Sequence, residues 1–197
     1  MGRRVEWAEG TWTHAPVATV EHDGDLDVTA ASGSDAWRLT SYGFVHDSEH
    51  ALTAPFEDGS AVEVEFTAGL TEQFDQAGVF VRAGADHWVK TGVEFADGVP
   101  QVGAVVTAPQ SDWSVAPCPD WAGQRVRVRV SWADGALTMR AGLANGPLQL
   151  VRVAPFLPRS AVTAGPFVCA PTRAGLTVRF HAWTVGPADL ALHGDGD

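Results

Sequence analysis

Alternation of apolar and polar positions dominates the chain, and it is clearest between Phe74 and Ser114. From Trp88 to Phe95, Val89, Thr91, Val93 and Phe95 fall on one side of an extended segment. Trp88, Lys90, Gly92 and Glu94 fall on the other, because strand side chains alternate with period 2. Residues 76–82 divide the same way, with Ala77, Val79 and Val81 inward and Gln76, Gly78, Phe80 and Arg82 outward. Residues 101–107 place Val102, Ala104 and Val106 inward and Gln101, Gly103, Val105 and Thr107 outward. The three runs predict a meander of antiparallel strands.

Turn chemistry sets the register. Asp97-Gly98 suits a two-residue type I′ hairpin, whose central residues both need positive φ. This predicts Ala96 opposite Val99, Glu94 opposite Gln101, Gly92 opposite Gly103, Lys90 opposite Val105 and Trp88 opposite Thr107. The turn around Gly84 has no such fixed geometry, but a one-residue slip would expose the core face. Arg82–Trp88, Phe80–Lys90, Gly78–Gly92 and Gln76–Glu94 are therefore the expected pairs. Gly78, Gly92 and Gly103 then form one outward row across three strands. Glycine in a strand marks close approach to the backbone. Either a ligand or another segment of the same chain could make that approach.

Elsewhere the pattern predicts further strands. Asp25–Ala31 and residues 61–67 alternate, the latter with Glu63 and Glu65 outward. Residues 125–132 alternate valine with arginine, and Asp134-Gly135 predicts a hairpin placing Val130 opposite Met139 and Arg129 opposite Arg140. Like charges so placed repel, so acidic neighbours or an anion should lie close. Asn145-Gly146 predicts another hairpin, but its register puts Arg152 on the core side, which requires a bulge or a partner for the arginine. Residues 111–114 read as a loop. The last strands are expected at Ala164–Ala170 and Leu176–Val185. Residues 1–9 read as a flexible leader, 10–187 as one β-sandwich domain and 188–197 as an acidic disordered tail.

Composition narrows the function classes. The chain has 197 residues and a formal net charge of −11, which disfavours nucleic acid and anionic membranes as partners. It has no long apolar run and no apolar segment near its first residues, so a cytoplasmic location is expected. Cys118 and Cys169 are expected to be reduced thiols. No phosphate-binding glycine loop occurs, and no cofactor is expected. His46, Glu49 and His50 match an H-x-x-E-H spacing, but this chemistry needs a helix and the neighbourhood reads as strand and loop, so no metal is expected. Of 13 basic residues only Lys90 is lysine. A compact ammonium on a flexible stem is not interchangeable with a guanidinium fork.

The candidate site follows from the outward face. Trp88 and Trp113 could stack on a ligand, while Gln76, Lys90, Glu94, Gln101, Thr107 and Asp112 could bond it. Glu94 and Asp112 are also the candidate acid and base of a glycosidic hydrolysis, with Lys90 adjusting Glu94. Alternatively, Lys90 and Glu94 form a structural ion pair.

Six ordered motifs carry a family resemblance. They are D-x-W-R at Asp35–Arg38, D-Q-A-G at Asp75–Gly78, W-V-K-T-G-V-E at Trp88–Glu94, V-V-T at Val105–Thr107, S-D-W-S at Ser111–Ser114 and L-V-R-V-A-P-F at Leu150–Phe156. Over roughly residues 10–187 the chain resembles domain of unknown function family 1349, some of whose members are labelled regulation of enolase proteins. The resemblance implies an all-β, concanavalin A-like jelly-roll sandwich of two antiparallel sheets. It carries no established site residues. Three functions are expected to compete: a non-catalytic domain binding a small hydroxylated ligand such as a sugar, a glycoside-type hydrolase, and a protein-interaction regulator of a metabolic enzyme whose partner the sequence does not select.

Overall fold

A computed structural model describes residues 2–189, 191 and 192. Its first strands are β1 (Arg3–Arg4), β2 (Thr11–Trp12), β3 (Ala18–His22), β4 (Asp25–Thr29), β5 (Ala36–Arg38), β6 (Val45–Asp47), β7 (His50–Pro55) and β8 (Ser60–Thr67). The central meander is β9 (Gln76–Arg82), β10 (Trp88–Ala96), β11 (Val99–Thr107) and β12 (Ser111–Pro117). The remainder are β13 (Arg125–Ala133), β14 (Ala136–Leu143), β15 (Gln149–Pro155), β16 (Thr163–Cys169) and β17 (Thr177–Pro187).

Two antiparallel sheets pack into a concanavalin A-like jelly-roll sandwich. One runs β15-β14-β13-β8-β17-β4-β3, with β1 on β17; the other runs β12-β11-β10-β9-β16-β7-β2. β5 and β6 form a separate two-stranded ribbon. Inward side chains of both sheets make the core. Val62, Val64 and Phe66 meet Val126, Val128 and Val130 within one sheet, and Ala77, Val79, Val81, Val89 and Val93 line the other. Each fully buried valine or phenylalanine contributes about 1.5–3 kcal/mol.

The register of the meander is the one that the alternation and the Asp-Gly turn require. Glu94 faces Gln101, Gly92 faces Gly103 and Gly78, and Lys90 faces Val105 and Phe80. Asp97 and Gly98 have φ of 54° and 84°, the type I′ signature. The Asp134-Gly135 hairpin also has two positive φ values and pairs Arg129 with Arg140. Asp189 accepts hydrogen bonds from both arginines, supplying the expected acidic neighbour.

Several expectations are corrected. Residues 111–114 are not a loop: they begin β12, which pairs along β11 with Trp113 opposite Val105. The leader is built in rather than flexible: β1 pairs with β17, Val5 is buried, and Trp7 lies 6.5 Å from Trp183. Burying these side chains offsets the entropy of ordering the segment. In the tail, Asp189 is tied to Arg129 and Arg140, whereas residues 190 and 193–197 lie outside the described residues. The Asn145-Gly146 turn closes between Leu143 and Gly146, and the β14–β15 register shifts between Met139 and Arg140. Arg152 does lie opposite Met139, and it reaches across the sandwich edge to Asp112 and Ser114 of β12. Both a register irregularity and a partnered arginine resolve the conflict.

Candidate functional site

The outward face of the β12–β2 sheet is covered rather than open. Ala36 and Trp37 of β5 join Ala51, Phe80, Trp88, Val105, Phe167 and Cys169 in a second apolar cluster. Phe80 and Trp88 stack with centroids 5.5 Å apart, and Phe80 meets Phe167 at 5.9 Å. Aromatic side chains on the solvent side of a sheet bury their area only if something packs over them, and the β5–β6 ribbon does so. Polar ties hold it there. The Arg38 N–H donates to Ser111 Oγ at 2.9 Å, and that hydroxyl also bonds Thr107 Oγ1 at 2.8 Å. The Arg82 guanidinium donates to Asp47 at 3.1 Å and to the buried Glu49 at 3.0 Å.

Under the edge of this cover lies a polar cluster. Lys90 Nζ donates to Asp35 Oδ1 and to Gln76 Oε1, both at 2.8 Å, and only 4% of the lysine is exposed. The Ala36 N–H donates to the same Asp35 oxygen at 2.8 Å. Burial disfavours both charges, but each stabilises the other. Burial presses the Lys90 pKa down, yet the adjoining Asp35 carboxylate holds it above its ordinary value. Burial raises Asp35, and Lys90 together with the Ala36 and Gln76 donors outweighs it, leaving the carboxyl below its usual range.

The alternative reading of Lys90 and Glu94 as a structural ion pair does not hold, because Asp35 takes the ammonium instead. Glu94 is left partly buried, and no hydrogen-bond donor among the described residues reaches its carboxylate. Burial pushes its pKa up to about 7; Lys90 opposes this, while Asp35 and Asp97 add to it.

Above the cluster opens a cavity of about 320 Å³. Its floor is Asp35, Gln76, Lys90 and Glu94, with Val105 beside them. Its walls are Trp37, Tyr42, Phe44, His46, Phe74 and Trp113. Trp37 meets Trp113 at 6.3 Å and 88°, and Tyr42 at 5.6 Å and 67°. Tyr42 stacks on Phe44, and Phe44 meets His46 at 4.6 Å and 80°.

Four residues expected from the sequence therefore meet in one place: Gln76, Lys90, Glu94 and Trp113. Four do not. Trp88 is sealed under the ribbon at 1% exposure, because Phe80 and Trp37 need the same cover. Gln101 donates to the Ala96 carbonyl at 3.0 Å, within its own hairpin. Thr107 is spent on Ser111. Asp112 lies on the opposite face of β12 from Trp113, since neighbours in a strand point apart, and it pairs with Arg152 at 2.8 Å. Glu94 and Asp112 thus share no space, and the two-carboxylate arrangement has no geometry here. The glycine row is occupied by the sheet itself: a Cβ on Gly92 would stand 2.1 Å from the Ala77 carbonyl oxygen, and one on Gly78 equally close to that of Thr91.

The sequence reading missed Asp35 and the aromatics of the ribbon. Their signal was present in Asp35-Ala36-Trp37-Arg38 and in Tyr42, Phe44 and His46, an aromatic run too short to bury itself. The H-x-x-E-H residues disperse. His46 faces the cavity, Glu49 bonds Arg82, and His50 bonds the His14 carbonyl and the Ala31 N–H. Among the described residues no group of three His, Cys, Asp or Glu side chains is placed to hold a metal. Cys118 and Cys169 are separate, buried thiols, and burial raises the pKa of both.

Comparison with known proteins places this architecture. The model of the protein of unknown function family DUF1349 matches residues 12–188. "Regulation of enolase protein 1" of Saccharomyces cerevisiae is 33% identical over 195 residues, covering 97% of this chain and 96% of that protein. A crystal structure described as a functionally unknown protein from Saccharomyces cerevisiae superposes with a TM-score of 0.87 at 32% identity, covering 95% of this chain and 100% of that one. The GH43 BlXynB protein from Bacillus licheniformis gives a TM-score of 0.71 at 9% identity, with 92% of this chain matching 37% of that one. At such identity the likeness is one of fold. The family match and the full-length relative agree: the chain belongs to the DUF1349 family.

Proposed function

We propose that the chain is a non-catalytic binding domain for a small hydroxylated ligand such as a sugar, held in the cavity between the β5–β6 ribbon and β10–β12. One observation carries the reading. Tyr42, Phe44 and Trp113 are 55%, 42% and 38% exposed while lining a cavity whose floor is a fixed polar cluster. Aromatic area left uncovered beside a few oriented polar groups is the usual composition of a ligand site, and such sites span about 300–1,000 Å³. The Lys90–Asp35–Gln76 cluster orients the ligand and does not react with it. The hydrogen bonds from Lys90, Ala36 and the Gln76 amide end on Asp35 Oδ1 or Gln76 Oε1, so Asp35 Oδ2 remains an acceptor for a ligand hydroxyl.

A panel of neutral monosaccharides and polyols, followed by calorimetric titration and thermal melting, tests this. At least one member is expected to bind and raise the melting temperature. Trp113→Ala is expected to lose the binding while melting close to the parent, because Trp113 is partly exposed. Absence of binding by every member at millimolar concentration would overturn the sugar reading.

The full-length yeast relative supports a second reading. Its name speaks of enolase regulation, and a metabolite-binding domain that contacts a metabolic enzyme would reconcile that role with the cavity. Co-purification with enolase, dependent on the cavity ligand, is the corresponding test.

A further inference from the structure

Resting on the cavity as the binding site, we propose that its ligand carries a cationic nitrogen, seated among the Trp37, Tyr42, Phe44 and Trp113 rings and paired with Glu94. Two independent features of the geometry lead there.

The first is the disposition of the rings. A neutral sugar stacks best on one flat aromatic platform. Here Trp37 stands across its neighbours, at 88° to Trp113 and 67° to Tyr42, while Tyr42 and Phe44 lie nearly parallel at 11°. The four rings line one cavity in more than one plane, so they do not form a single flat platform. A compact cation gains from each ring face turned toward it, and aromatic cages are a known means of holding ammonium groups.

The second is the charge inventory. Lys90 is the cavity's one lysine or arginine, and Asp35 and Gln76 already satisfy it. Glu94 is the remaining carboxylate on the floor, and no donor among the described residues reaches it. A carboxylate partly withdrawn from water without a partner is less favourable than a paired one. A neutral hydroxyl offers it one hydrogen bond. A cation offers it charge compensation as well, and does so without disturbing the Asp35–Lys90 pair. His46 also lines the cavity, with its ring edge-on to Phe44 at 4.6 Å.

The test uses probes matched in shape and different in charge. One pair is choline and its neutral isostere with carbon in place of nitrogen; the other is glucosamine and glucose. Each is titrated calorimetrically into the full chain and into Glu94→Gln at about pH 7. In at least one pair the charged member is expected to bind about tenfold tighter than its neutral partner or better, a difference of about 1.4 kcal/mol. Glu94→Gln is expected to erase that preference, and Trp37→Leu to weaken the charged member more than the neutral one. Glucose binding as well as glucosamine, with choline no better than its isostere, would overturn the cationic ligand and leave the sugar reading standing. Failure of both charged probes to bind would overturn the inference; the neutral panel would then decide the cavity's role separately. A charge preference that survives in Glu94→Gln would overturn the assignment to Glu94.

Discussion

The outer faces of the two sheets obey the same alternation and reach opposite ends. On the β8–β13 face, Glu63 and Glu65 lie opposite Arg129 and Arg127, and the charges form a ladder: Arg125–Glu65 at 2.5 Å, Arg127–Glu63 at 3.6 Å and Arg129–Glu63 at 3.8 Å. Water reaches this face, with Arg125 56% exposed. Pairs of that kind contribute about 0–1 kcal/mol each. On the β9–β11 face a ribbon and aromatic rings exclude most water. There the same kind of position holds few charges, and each must be matched or be costly. Lys90 and Asp35 are matched; Glu94 is not. An unmatched charge in water says little about function, whereas one under aromatic cover is the ground on which the proposed ligand rests.

The largest test of the comparison replaces one cation on each face. Lys90→Met leaves Asp35 buried without its ammonium, and removing one partner of a buried pair costs about 3–5 kcal/mol. Arg125→Met, on the ladder, should change stability by less than about 1 kcal/mol. Urea unfolding of both variants against the parent measures the contrast. Near-equal losses would break the distinction between the faces.

The sequence already contained the β9–β11 register, because one Asp-Gly turn and strict alternation specify it locally. It also singled out Lys90 as the lone lysine. It did not disclose what Lys90 meets, because Asp35 is 55 positions away and arrives on a ribbon whose own strands are three residues long. So short an element has little periodicity to read. Trp88 illustrates the reverse error. Its outward position is correct, but alternation names a side of the sheet, not whether that side is wet. The glycine row was also visible, yet its cause is the neighbouring strand's carbonyl oxygens rather than a visitor.

A second, smaller test uses pH. The folded pKa of Glu94, about 7, lies above the ordinary 4.5. Between these values the folded chain holds a proton that the unfolded chain has released. Stability therefore falls as pH rises through that interval, and the loss is complete above it. Glu94→Gln removes this dependence. The variant is expected to match the parent below about pH 4.5 and to exceed it by on the order of 2 kcal/mol at about pH 8. Lys90, Asp35 and Asp97, the charged groups that act on Glu94, are present in both proteins. The difference between their pH–stability curves thus isolates the one carboxyl. Equal curves across the interval would mean that Glu94 is solvated like a ladder glutamate, and would remove the ground for calling it unmatched.

The smallest expected effect comes from Asp112. It belongs to neither regime: it sits on the inward side of β12, but at the sandwich edge, where its side chain is 69% exposed and bonds Arg152. Water screens that pair, so Asp112→Asn should cost no more than about 1 kcal/mol. Its carboxylate points away from Trp113 and the cavity, so ligand affinity should be unchanged as well. Arg152 keeps a second acceptor in Ser114 Oγ at 3.0 Å, which limits the loss further. If Asp112→Asn instead weakened ligand binding as much as Glu94→Gln does, the two carboxylates would be acting on one ligand. β12 would then have to rotate about its own axis in the bound state, turning Asp112 into the cavity and Trp113 out of it. Measuring the affinity of Asp112→Asn beside that of Trp113→Ala separates these arrangements: with β12 as described, the first retains binding and the second loses it.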